Sequence, residues 1–124
     1  LLEGQAAKET AIKASEAQLT QLDNLHHRLE KAAADRDTEQ FFEINVKFHD
    51  LIQEIAGNKW MNGVIEDLRK VLKLQRRDSL SRSGRLLSSL VEHREILQAI
   101  LKRDPLGAEM AMRKHLTRGL EATK

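Results

Sequence analysis

The chain has no cysteine, a single proline and only four aromatic residues (three Phe, one Trp) among 124. Each shortage excludes something. Without cysteine there is no disulfide framework, and any bound metal must be held by imidazole nitrogen and by oxygen. The same absence is compatible with a cytoplasmic location, which is the one expected. Aromatic residues at 3% leave no base-stacking platform for a single nucleic-acid strand. No apolar run approaches the roughly 20 residues that a membrane span needs, so no membrane contact is expected. The opening LLEGQAAKET lacks the cationic start and apolar stretch of a secretory signal.

A strong charge of one sign is missing too: the net charge is +2. One basic stretch runs from Lys70 to Arg85 with only Asp78 acidic. A nucleic-acid binder would set such a run against phosphates. With no aromatic residue in it, we read it as a solvated helix end and loop.

What is present is helical patterning in a chain of one-domain length. We expect an all-α antiparallel bundle of about six helices. The first covers about residues 1–17 and is rich in alanine. The second runs about 20–34, with Thr20 as N-cap and Leu19, Leu22, Leu25 and Leu29 as its stripe. The third starts near Asp37 with a capping-box pattern and ends at Gly57. Asn58 caps a fourth, reaching about Arg77, with Met61, Ile65, Leu68 and Leu72 inward. A connection over roughly 78–84 leads to the fifth, about 84–103. The sixth opens with Asp104 as N-cap and Pro105 at the first helical position, where a missing N–H costs nothing.

Three histidines lie inside apolar stripes. His93 shares its face with Leu86, Leu90, Leu97 and Ile100, and His115 with Ala108, Ala111, Met112 and Gly119. Each is 11 residues from Asp104, so in an antiparallel hairpin both stand roughly 16 Å from the turn, at equal height. On the third helix Asn45 and His49 are four apart and stack on one face. A single histidine so placed reads as a hydrogen-bonded core residue. Three at one depth admit a second reading, a shared divalent ion. Imidazoles with one oxygen suit Zn best, with Ni, Mn, Fe or Co as further candidates. His26 and His27 are adjacent, cannot both point inward, and are read as surface or boundary residues. Arg69 and Arg76, on or beside the inward side of the fourth helix, are the candidate contacts for a carboxylate.

No HExxH, nucleophile elbow or phosphate loop occurs, and an enzyme is not expected. The alternatives are a metal-dependent hydrolase and a metal-free helical scaffold. The nearest general bases for a hydrolase, Glu92 and Asp50, each adjoin a histidine and point about 100° off its face.

The segments LEGQAA, FFEINVKFHDLIQEIAGN, SLSRSGRLLSSLVEH and AILKRDPLGAEMAMRKHL together span nearly the whole chain. Their order and spacing resemble the FadR-type C-terminal ligand-binding domain (FCD) of GntR-family bacterial transcription regulators. The pattern is an acidic residue four before a Phe-His pair, a Gly-Asn, a Glu-His, and a final His 22 later. The resemblance implies metal ligands at His49, His93 and His115, with Asn45 replacing the usual aspartate. A neutral amide there offers an ion less charge compensation than a carboxylate. The resemblance further implies a small carboxylate effector at the metal. DNA binding would reside in an N-terminal winged helix-turn-helix not present in this chain, in a homodimeric full-length protein.

Overall fold

Short capping signals set the helix boundaries. In the computed structural model of the protein, which describes residues 2–57, 62–71 and 84–121, α1 spans Leu2–Lys13 and α2 spans Glu16–Ala34. The break between them falls earlier than the sequence patterning suggests. Ser15 accepts from Gln18 N at 3.1 Å, while the Gln18 side chain accepts from Ser15 N at 2.9 Å. This reciprocal capping box satisfies two donors that a helix start leaves orphaned. Thr20 is therefore not an N-cap: it lies one turn inside α2, and its hydroxyl donates back to Glu16 O.

Helix α3, Thr38–Ala56, starts where expected, with Asp37 accepting from Gln40 N. It stops at Gly57, whose φ of 73° is the left-handed conformation that glycine adopts without steric penalty. Residues 62–71 form α4. Its Ile65 is buried, but Leu68 is 52% exposed rather than inward. Arg69, one full turn from Ile65, takes the inward position instead. Asn58, Met61, Leu72, Arg76 and the 72–83 part of the basic stretch lie outside the described residues.

Helices α5, Arg85–Leu101, and α6, Pro105–Glu121, form the expected hairpin. Asp104 N donates to Ala99 O, Arg103 adopts φ 58°, and Asp104 Oδ1 accepts from Gly107 N at 3.0 Å. The turn is thus closed on both sides.

Among the described residues the chain is helical with no strand, an all-α bundle. Helix α1 packs on α3, α5 and α6, while α2 packs on α3 and α5. Among the described residues, apolar burial falls into two clusters. The larger joins alanines of α1 to Leu19, Leu22, Phe48, Ile52, Ile96, Leu97, Ile100 and Met112. The smaller gathers Leu29, Phe41, Phe42 and Ile44 at the α2–α3 end. Polar side chains of α3, α5 and α6 meet where these clusters adjoin. No helix among the described residues is long and apolar enough to cross a membrane.

Candidate metal centre

Helical spacing delivers the three stripe histidines to one point. His49 from α3, His93 from α5 and His115 from α6 are all buried, each with one ring nitrogen within 4.8 Å of the others'. The His93 and His115 ring centroids are 4.4 Å apart, as the equal heights across the hairpin require. The His49 and His115 rings stack at 5.6 Å, inclined by 18°. His49 Nε2 and His93 Nε2 are 3.1 Å apart, and Asn45 Oδ1 reaches the same His93 nitrogen at 2.5 Å. Phe48 packs edge-on against both His49 and His93 and keeps this side dry.

The partners of the outer nitrogens decide where the protons sit. His93 Nδ1 lies 2.7 Å from Ser89 O, and a carbonyl only accepts, so Nδ1 carries the hydrogen. Burial holds the ring far below the usual histidine range, so it is neutral and Nε2 is a lone pair. That lone pair faces the Asn45 oxygen, another acceptor, and His49 Nε2. His49 is likewise neutral: burial pushes it down to about 4, offset only in part by the Glu3 carboxylate. Glu3 Oε1 stands 3.5 Å from His49 Nδ1, an electrostatic contact longer than a well-formed hydrogen bond. With its hydrogen on Nε2, His49 donates to the His93 lone pair; with it on Nδ1, both Nε2 atoms are lone pairs that a cation would join.

The donor set fits a divalent ion. Two imidazole nitrogens on one ion, with bonds of about 2.0–2.1 Å, stand roughly 3.0–3.4 Å apart, and 3.1 Å separates His49 from His93. Outer-nitrogen hydrogen bonds of the kind made by His93 are what orients metal-bound imidazoles.

Glu92 is the residue that sequence reasoning underrated. The 100° offset from His93 does not send it to solvent; it turns it toward α6, where it is 2% exposed. Its Oε1 lies 2.7 Å from His115 Nδ1, and Arg85 binds both of its oxygens at 2.9 and 3.0 Å. Burial alone would raise this carboxyl, but the bonds from His115 and Arg85 outweigh it and hold it at about 2. The usable signal was Arg85 seven residues earlier, two turns along the same face. Asp50, the other acidic candidate, is half-exposed and pairs with Arg69. Both carboxylates are thus engaged by guanidinium groups.

Arg69 lies beside the centre, in ion pairs with Glu3 at 2.7 Å and Asp50 at 2.5 Å. It lines an open cleft of about 640 Å³ whose wall also includes Asn45, His49 and Lys70. Arg76 lies outside the described residues. His27 is exposed, as expected, but His26 is buried at 3% exposure against the boundary reading. It continues the Leu19–Leu22–Leu29 stripe, with Glu30 Oε1 at 3.3 Å from its Nε2.

The model of the FCD domain family matches residues 1–118. Curated relatives include the HTH-type transcriptional repressor RspR of Escherichia coli K12, 30% identical over 115 residues. An uncharacterized HTH-type transcriptional regulator, YdfH of Shigella flexneri, is similar to the same degree. Each alignment covers 93% of this chain and 50% of the relative, so the chain spans about half the length of the curated relatives it matches.

Proposed function

Because the chain belongs to the FCD domain family, we propose that it is the effector-sensing domain of a transcription regulator and senses its ligand through a metal. His49, His93 and His115 would hold a divalent ion, Zn in first place, with the Asn45 oxygen as fourth ligand or held to it through water. The observation that carries this reading is the convergence of three buried histidines from three helices, whose ring nitrogens lie within 4.8 Å of one another beside the Asn45 oxygen. When bound, the ion supplies positive charge and open coordination positions.

The chain's own residues define what is sensed. Three imidazoles and an amide leave the ion's charge uncompensated inside an apolar bundle, which favours an anion over water alone. The cleft beside His49 and Asn45 has the volume of a small-molecule site. Arg69, at its wall, would meet the ligand's carboxylate by exchanging its exposed partner Asp50 for it. The ligand is therefore a small carboxylate-bearing metabolite. In the whole protein, operator DNA would be bound through a separate helix-turn-helix domain, as a homodimer.

Two measurements test this. Metal-stripped protein titrated with Zn2+ should take up one equivalent and melt at a higher temperature, since binding to the native state alone adds stability. No uptake of Zn2+, Ni2+ or Mn2+, with unchanged melting, overturns the metal reading. Calorimetry with mono- and dicarboxylates, sugar acids and neutral sugars should then show carboxylate binding only to loaded protein.

A further inference from the structure

We propose that Glu92, clamped by Arg85, is a positioning residue that fixes the proton of His115 on Nδ1 and leaves Nε2 for the histidine cluster. Three observations converge on it. Glu92 is buried at 2% exposure, so its pairings are not those of a solvated surface ion. The Arg85 guanidinium grips both carboxylate oxygens, Nη2 to Oε1 at 2.9 Å and Nη1 to Oε2 at 3.0 Å, which fixes the plane of the carboxylate. Oε1 then lies 2.7 Å from His115 Nδ1. An ionised carboxylate has no hydrogen to give, so the hydrogen between them belongs to Nδ1.

The clamp lies wholly on α5, because Arg85 and Glu92 are seven residues apart. It therefore presents a finished acceptor to α6 rather than one that forms with it. Arg118 adds a second cation from α6, with Nη1 at 3.5 Å from Oε2. His93 is oriented differently, by the carbonyl of Ser89 on its own helix. A carboxylate polarises the ring it holds more than a carbonyl does. His115 is thus held by a stronger acceptor than His93 is. The effect on metal affinity rests on the metal reading above; the position of the proton does not.

Long-range 15N–1H correlation spectra of metal-free protein read the tautomer directly. His115 Nδ1 should carry hydrogen in the unsubstituted protein, and spectra taken at a pH high enough that the ring holds one hydrogen should show the Nδ1–H form. In Glu92→Gln the side-chain oxygen turns to the two Arg85 donors and the amide NH2 faces His115. The ring should then shift to the Nε2–H form, and Zn2+ affinity should fall by roughly 10- to 100-fold. In a His115→Ala background the same substitution should leave Zn2+ affinity unchanged, which a merely structural role would not do. An Nε2–H ring in the unsubstituted protein overturns the proposal, and needs no variant to fold. So does an unmoved tautomer in Glu92→Gln, or an equal loss of affinity in both backgrounds. If the unsubstituted protein takes up no Zn2+, the metal reading fails while the spectra still judge Glu92.

Discussion

Acid should destabilise the metal-free protein well above the pH at which its carboxylates titrate, and His49 sets much of the slope. In the folded chain its imidazole is held at about 4 by burial; in the unfolded chain it returns to about 6.5. The unfolded state therefore binds the proton first, and stability is lost as the pH falls from about 6.5 toward 4. Linkage with these two values gives a loss of about 2 kcal/mol at pH 5 from His49 alone. That is a large share of a domain stability of roughly 5–15 kcal/mol. His93 acts in the same direction. Glu92, held at about 2, contributes only below its unfolded value of 4.5 and so leaves the upper part of the window untouched. Urea unfolding of metal-free protein at pH 7.5, 6 and 5, compared with His49→Gln, isolates the effect. The variant should lose less stability over this range by about 2 kcal/mol. Parallel curves for the two proteins would refute the reasoning, because they would mean that His49 takes up its proton without unfolding. Loaded protein should resist the same acidification until protons displace the ion.

Asn45→Asp should tighten Zn2+ binding in direct calorimetric titration, since a carboxylate adds negative charge beside the His93 nitrogen; weaker or unchanged binding makes Asn45 a bystander. Phe48→Ala removes a fully buried ring that packs on two of the histidines and should cost about 3–5 kcal/mol in urea unfolding. A loss under about 1 kcal/mol would show that the bundle closes over the gap. Ser15→Ala should cost about 1 kcal/mol by thermal melting, and Thr20→Ala within about 0.5 kcal/mol of nothing. The reverse ranking would move the start of α2 to Thr20.

Much of the candidate site was legible because it obeys helical periodicity. Asn45 and His49 four apart, and His93 and His115 equidistant from Asp104, are statements about angle and height that tertiary packing preserved. Asp37, Gly57 and Asp104 marked helix ends because their capping chemistry is local. The α1–α2 break was obscured by two hydroxyls in competing positions: Thr20 lies at the start of a leucine stripe, but Ser15 has the glutamine three residues on. Glu92 was set aside on its angle from His93, and that angle says nothing of what the neighbouring helix places there. His26 falls in the 19–22–26–29 spacing and is buried with that stripe, while Leu68 is exposed and Arg69 turns inward to Glu3, a pairing that stripe patterning does not contain. Arg69 is legible as a candidate carboxylate contact, but its pairing with Glu3, 66 residues away, depends on the whole fold.

Helix α1 is held by closeness more than by bulk. Its buried face is Gly4, Ala6, Ala7 and Ala11, and a Cβ on Gly4 would come within 2.7 Å of Arg113 Cγ. Alanine methyls release little apolar area, so the grip depends on a few polar pins: Thr10 to Ile52 O, Lys13 to Ala56 O, and Glu3 to Arg69. Helix α3, by contrast, buries Phe41, Phe42, Phe48 and Ile52. Cohesion in this bundle is therefore graded. Amide exchange should find α1 opening as a unit at lower free energy than α3, by a partial unfolding that leaves the histidine helices paired. Such an opening removes Glu3 from beside His49, so the detachable helix and the histidine cluster share one equilibrium.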